Sequence, residues 1–160
     1  LCLFLGGPTL AMMYKAVNTL DSMVGYVTPK YRAIGWFSAK MDDIWNFIPA
    51  RLTWFYLLGA TKILRLNTSN AWKVGKADCR NHKSPNSGYP EAVVAGALGI
   101  QLGGTHLYHG VEIYKPTIGV SLRSAKPKDI LTANKLLYTT AILSVTVFSV
   151  TAIIINKYFL

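Results

Sequence analysis

Residues 78 to 104 read DCRNHKSPNSGYPEAVVAGALGIQLGG, a basic stretch that gives way at Pro90 to small and apolar residues. Pro85 and Gly88 oppose a helix through the loop. Pro90 suits a first helical position, where the N–H that proline lacks would have no intrahelical partner. The pattern predicts a short helix from Pro90 to Gly104. Its free N–H groups and dipole would face a loop carrying Arg80, His82 and Lys83, with Asn86, Ser87 and Gly88 able to expose further backbone donors. Such a junction suits a phosphate. The plainer alternative is a basic loop capping a helix, and no GxxxxGK[ST] loop is present to decide between them.

The carboxylates are few enough to take one at a time. Tyr14, Asn18 and Asp21 recur at i, i+4 and i+7 and would form a polar stripe on one helix face, with Lys15 and Ser22 beside it. Asp42 and Asp43 are adjacent in WFSAKMDDIWNF, where Ala39, Asp43 and Asn46 would share a face and Asp42 would stand near Asn46. Hard oxygen ligands of this kind suit Mg²⁺ with a bound phosphate, which needs only one or two protein carboxylates. They suit equally well structural ion pairs with Lys15, Lys40 and Arg51. Glu91 follows Pro90, where it would favour the helix dipole yet repel a phosphate unless a metal or an amine intervened.

Cys79 and His82 form C-x-x-H, and His106 and His109 form H-x-x-H, a spacing that can hold zinc. The crowd of basic groups around Cys79 and the glycine-rich stretch between the pairs argue against it. Cys2 and Cys79 provide no disulfide framework. Asn67-Thr68-Ser69 matches a glycosylation sequon, which carries no weight without a secretory context. No G-x-S-x-G, no H-E-x-x-H and no internal repeat stands out.

The elements that must position these groups are those of a membrane protein. Hydrophobic residues make up 51% of the 160 and charged ones only 15%. Leu136 to Ile155 is twenty residues without a charge, bracketed by Lys135 and Lys157. At ~1.5 Å per residue it spans a hydrocarbon layer of ~30 Å, and its hydroxyls can bond back to the backbone or across to a neighbour. Leu1 to Met13 is uncharged but broken by Gly6, Gly7 and Pro8, and lacks the basic start and cleavage site of a signal peptide. Leu52 to Thr61 is too short to span unless Arg51 and Lys62 snorkel. In the glycine-rich stretch Ala92 and Gly96, like Ala95, Gly99 and Gly103, recur every four residues, a spacing that lets another helix approach closely.

Seventeen Lys and Arg against seven Asp and Glu give a net charge of +10. No recognised motif links that charge to nucleic acid, and topology explains it better. The segment 110 to 135 carries Lys115, Arg123, Lys126, Lys128 and Lys135, an excess typical of cytoplasmic loops. The other polar loops are basic too, and all can lie on that side if some apolar segments are half-spans. The expected fold is therefore all-α: a polytopic integral membrane protein with short or re-entrant helices and a C-terminal transmembrane helix, forming a single domain over 1 to 160.

Four blocks in order, YKAVNTLDSMVGY (14 to 26), IGWFSAKMDDIWNFIPARLT (34 to 53), HKSPNSGYPEAVVAGALGIQLGG (82 to 104) and KPTIG (115 to 119), resemble the CbiB/CobD family of cobalamin biosynthesis, the adenosylcobinamide-phosphate synthases. The resemblance covers nearly all of this chain but roughly the C-terminal half of the family's usual length, so a longer protein or a companion subunit would supply the other half. It implies an ATP-dependent, Mg²⁺-requiring membrane ligase, embedded in lipid, that joins the carboxyl of adenosylcobyric acid to an aminoalcohol phosphate. It further implies Glu91, Lys83 and His82 as catalytic, with Lys15, Asn18, Arg80, Ser84, Asn86, Ser87, Gly88 and Lys115 binding substrate or phosphate. Asp21, Asp42 and Asp43 would hold the metal. The family also resembles, at a distance, AmpE-type membrane proteins associated with β-lactamase regulation, which would make the chain a sensor; a purely structural assembly subunit is a third reading. Retention of NTLDS, MDD, HKSPNSGYPE and KPTIG together favours the synthase.

An uncharged run of this length predicts that the protein stays with membranes through an alkaline carbonate wash and needs detergent for release. Recovery in the soluble fraction would overturn the membrane assignment.

Overall fold

The computed structural model describes residues 1–25, 32–108 and 110–159. Gly6 and Gly7 adopt non-helical backbone angles ahead of Pro8, so α1 (Cys2–Val24) is kinked near its start. The stretch from Arg32 to Ile63 forms one helix, α2, that carries Pro49 inside it, where a backbone donor is lost. Two shorter helices follow before the sheet. Helix α3 (Thr68–Ala77) opens on Asn67, whose side chain accepts from the Asn70 N–H at 3.0 Å, so the sequon is an N-cap. Helix α4 (Gly88–Leu98) then leads into the antiparallel strands β1 (Leu102–Tyr108) and β2 (Val111–Ile118). Helix α5 (Pro127–Phe159) closes the chain.

The fold is thus mostly helical, but the expectation of an all-α chain is corrected by the hairpin. Helix α4 also stops short of Gly104. Gly99 takes a left-handed conformation (φ 64°) that ends it, its N–H bonding to Gly96 O while Ile100 N–H bonds to Ala95 O, the Schellman pattern. Gly103 (φ 81°) then sits at the irregularity between Leu102 and Gly104 in the hairpin register, where a Cβ would strike the Pro116 carbonyl.

Backbone contacts group the chain into two compact units, Leu1–Pro49 with Val145–Leu160, and Ala50–Ser144. In the second, Trp54, Leu57, Leu58 and Ala60 of α2 pack with Ala71 of α3, Val93 and Ala97 of α4, and Leu136 of α5, which is fully buried. A smaller cluster of Val74, Ala92, Ala95 and Ile118 joins α3 and α4 to the hairpin. The expected close approach along the Ala92–Gly96 face is present. A Cβ on Gly96 would lie 2.8 Å from both Ala71 Cα and Asn70 O, and Asn70 Nδ2 donates to Gly96 O at 2.6 Å.

Helix α5 is the one described helix long and apolar enough to cross a membrane, and only 6% of its most apolar window is buried. A soluble core helix would hide that window. Thr132, Ser144 and Thr151 hydroxyls donate to carbonyls three or four residues back, as expected for hydroxyls on an apolar helix. Its start is fixed by Asp129, which accepts the Lys126 backbone N–H at 2.7 Å and both Arg123 nitrogens at 2.6 and 2.8 Å, with Pro127 in the first turn.

Because backbone atoms of α3 occupy the space a side chain at position 96 would need, Gly96→Ala should cost ~1–3 kcal/mol. The check is the thermal midpoint of the detergent-solubilised protein; an unchanged midpoint would refute the close α3–α4 contact.

Candidate functional site

Asp78 ends α3 and holds the basic loop in place. Its Oδ2 accepts the Gly119 N–H at 2.8 Å, while the Asn81 side chain donates to Asp78 Oδ1 at 3.4 Å and to Thr117 O at 3.3 Å. Residues 78 to 81 are thereby fastened to the end of β2. Gly119 (φ 88°) allows the contact, since a Cβ there would press on Ala95 and on the Ile100 carbonyl. In the KPTIG block Thr117 and Gly119 accordingly fasten the loop, while Lys115, Pro116 and Ile118 line a cleft.

Between this loop, the start of α4 and the hairpin lies a cleft of about 400 Å³. It brings together His82, Lys83, Glu91 and Lys115, four residues expected from the sequence, and adds His106 and Asn81. His82 Nε2 stands 3.9 Å from Glu91 Oε1, with the two side chains 36% and 41% exposed, so the pair is within reach of a ligand. His82 Nδ1 accepts the Ser84 backbone N–H at 2.9 Å, which leaves Nε2 as the protonated nitrogen of the neutral ring. At 3.9 Å the two groups are too far apart for a direct hydrogen bond and near enough to share a small polar group. Leu102, Ile113 and Ile118 give the cleft an apolar side.

The other loop residues named from the sequence build the loop instead of lining this cleft. Ser84 Oγ accepts the Asn86 N–H at 3.3 Å. Asn86 is buried, and its Oδ1 accepts from Arg51 Nη1 at 2.8 Å. Gly88 is buried where a Cβ would collide with the Cys79 carbonyl. Helix α4 starts at Gly88, two residues before the expected start, with Ser87 as its N-cap. The Tyr89 N–H is taken by Asn86 O at 3.2 Å, so the helix start offers an anion fewer donors than the sequence pattern implied. Arg80 lines a separate cleft with Arg51, which sequence reasoning set aside as a snorkelling or ion-pairing cation. Only the long-range pairing of Arg51 with Asn86 and Tyr89 reveals it, and no local signal carries that.

In the first unit the polar stripe is real. The Tyr14 hydroxyl donates to Asn46 Oδ1, Asn18 Nδ2 donates to Asp42 Oδ1 at 3.3 Å, and Asn46 Nδ2 donates to Asp42 O at 3.0 Å. Lys15 is exposed on the same helix. The Asp21 carboxyl is pushed above its ordinary range, first by burial, then by the charges of Asp42 and Asp43. Asp43 is raised as well, by burial, with Lys40 opposing and Asp42 adding to the shift. The surroundings of Asp21 and Asp43 thus disfavour the ionised carboxylates. Among the described residues no three His, Cys, Asp or Glu converge as a metal cage, so a zinc set at Cys79, His82 and His106 is not formed; His109 lies outside the described residues. Asp21, Asp42 and Asp43 likewise form no three-carboxylate cage, so a divalent ion here would keep most of its water and take one or two carboxylates.

The CobD/Cbib protein family matches residues 1–137. The cobalamin biosynthesis protein CobD of Streptococcus sanguinis (strain SK36) is 57% identical over 159 residues, which is 99% of this chain and 50% of that protein. CobD of Listeria monocytogenes serotype 4b (strain F2365) is 58% identical over 147 residues, 92% of this chain and 47% of that protein. The cobalamin biosynthesis protein CbiB of Salmonella typhi is 51% identical over 146 residues, 91% of this chain and 46% of that protein. The chain spans about half the length of these curated relatives. No solved structure matches it.

A raised carboxyl destabilises the folded state once ionised, so between the ordinary value of 3.8 and the raised one stability falls as pH rises, and the penalty is fully present above that window. Asp21→Asn removes it. At neutral pH without Mg²⁺ the variant should melt at or above the wild-type temperature, and added Mg²⁺ should raise the wild-type midpoint more than that of the variant. A lower midpoint with no Mg²⁺ dependence in either protein would make Asp21 a purely structural group.

Proposed function

The chain belongs to the CobD/CbiB family, and from that premise we propose that it is part of an adenosylcobinamide-phosphate synthase, an ATP-dependent ligase that forms the amide between a carboxyl of adenosylcobyric acid and the amine of an aminoalcohol phosphate in cobalamin biosynthesis. The observation that carries this reading is the 400 Å³ cleft, which places Glu91 and His82 in one wall system with Lys83 and Lys115. An aminoalkyl phosphate is positive at one end and negative at the other. A small cleft with a carboxylate and two ammonium groups offers matched partners for both ends, and its apolar side accepts the carbon between them.

In this reading Lys83 and Lys115 hold the phosphate, and Glu91 first orients the substrate ammonium and then takes its proton. His82, held through Nδ1, directs Nε2–H toward Glu91 and stabilises the carboxylate that does so. The carboxyl of the corrinoid is activated by phosphoryl or adenylyl transfer from ATP. The amine freed by Glu91 then attacks the acyl carbon, the amide C–N bond forms, the C–O bond to the phosphate or AMP breaks, and the second proton lost by nitrogen passes to the departing phosphate or to solvent. One or two of Asp21, Asp42 and Asp43 would hold Mg²⁺, which when bound supplies charge neutralisation for a phosphate. Asn18 positions Asp42, and Lys15 on the same helix adds a cation for a phosphate.

The same reading makes the complete protein a multi-pass membrane protein, with its polar loops on the cytoplasmic side in keeping with their basic excess. Leu52 to Thr61, expected as a half-span, is instead part of α2 and gives Trp54, Leu57, Leu58 and Ala60 to the buried core. A corrinoid is too large for the cleft and would lie across its open mouth at the membrane surface. The rest of the length seen in the relatives, on the same polypeptide or a companion, would complete the enzyme.

Lys83→Ala should raise the KM for the aminoalcohol phosphate about ten- to a hundredfold, as loss of a charge-assisted contact does, with the KM for ATP unchanged. Glu91→Gln keeps size and most hydrogen bonding and should lower kcat by ~10²–10⁴ with membrane insertion intact. Steady-state kinetics on the membrane enzyme check both, and normal kinetics in the two variants would reduce the loop to a connector.

A further inference from the structure

The loop that brings Lys83 to one cleft brings Arg80 to another. Helix α2, the last turn of α3 and residues 79, 80 and 89 enclose about 510 Å³, within the range of cofactor and nucleotide sites. Three cations from three different places in the chain line it, Arg51, Lys76 and Arg80, and no carboxylate does among the described residues.

Arg51 is a positioned cation rather than a solvated one. Its guanidinium lies 4.3 Å from the centre of the Tyr89 ring, Nη2 reaches the Tyr89 hydroxyl at 3.4 Å, and Nη1 donates to Asn86, whose exposure is 5%. Asn86 and the Tyr89 ring orient the guanidinium. Lys76 and Arg80 are exposed and can close on a ligand. On the wall opposite in chemistry stands Phe55, 60% exposed, braced by an edge-on contact with Trp54 at 4.8 Å between ring centres. Trp54 is itself fixed by its bond to Gly75 O at 3.0 Å.

We propose that this cleft binds a nucleoside triphosphate, with the phosphates on Arg51, Lys76 and Arg80 and the base against Phe55. One phosphate monoester needs one or two cations; three on separate elements suit a chain of phosphates, and an exposed ring on a rigid support suits a planar base. The inference rests on the ligase reading for its place in a reaction, where the nucleotide would supply the activating group while the first cleft holds the amine. It also separates the two phosphate ligands that the sequence put in one loop: Arg80 faces the nucleotide and Lys83 the aminoalcohol phosphate.

The test is anisotropy of a fluorescent mant-ATP on the whole detergent-solubilised membrane protein. Arg51→Ala should raise Kd about ten- to a hundredfold, and so should the paired Lys76→Ala, Arg80→Ala variant, whose exposed side chains can be removed without disturbing the core. Phe55→Ala should abolish the advantage of unlabelled ATP over inorganic triphosphate as a competitor. Lys73→Ala, on α3 but outside the cleft, should leave Kd unchanged. Unaltered Kd in both Arg51→Ala and the double variant overturns the proposal. So does displacement by phosphatidylglycerol micelles with none by ATP, which would mark a lipid headgroup site. Nucleotide binding that depends on these residues in a protein that forms no amide would keep the proposal and remove the ligase reading, whereas amide formation with nucleotide affinity indifferent to them would do the reverse.

Discussion

The bond from the Gly119 N–H to Asp78 is the constraint on which the described clefts depend. A loop of residues 78 to 87 has little apolar surface of its own, and without an anchor its basic side chains would spread into solvent, where cations are well hydrated and repel one another. The Asp78 carboxylate, at the end of α3, and the Asn81 amide tie the loop to the end of the hairpin, while Asn86 ties it to Arg51 on α2. Fixed at both ends, the loop can present Arg80 on one side and His82 with Lys83 on the other. Two clefts thereby share a handful of consecutive residues.

The carrier beneath them is a tight crossing of α3 and α4. Small residues, Ala71 on one helix and Ala92 and Gly96 on the other, let the backbones meet, and the Asn70 amide caps the contact by satisfying the Gly96 carbonyl. The small cluster with Ile118 then sets the hairpin against the same pair. Large side chains do little of this work, which is consistent with a chain whose bulky apolar residues are mostly exposed, as along the lipid-ready length of α5.

Much of this was legible in the sequence, and the failures have physical causes. The uncharged run from Leu136, the helix after Pro90 and the polar stripe of Tyr14, Asn18 and Asp21 all rest on local periodicity, and local periodicity survives folding. The hairpin did not come through because Gly99 and Gly103 are spaced as a helix-packing motif would space them, and only the left-handed turn at Gly99 shows that the helix has ended. The alternation in THLY and VEIYK around His109-Gly110 was a strand signal that the glycine pattern outweighed. At the site, residue types pointed to an anion, and His82, Lys83, Glu91 and Lys115 do share a cleft. What sequence could not sort was which of ten consecutive loop residues face outward and which serve as mortar. Ser84 and Asn86 took the second role, with Gly88 at the start of α4 beside them, and Arg51, 35 residues from Asn86, entered from outside the motif.

Leu136 belongs to the buried core and is also the first residue of the uncharged run, with Lys135 immediately before it. The edge of the protein core and the edge of the hydrocarbon therefore share a single helical turn. Sinking the helix would drag Lys135 into lipid, and lifting it would pull apolar surface into water, so both displacements are opposed. Inserted in a bilayer, the helix would act as a depth gauge for the buried cluster that Leu136 closes.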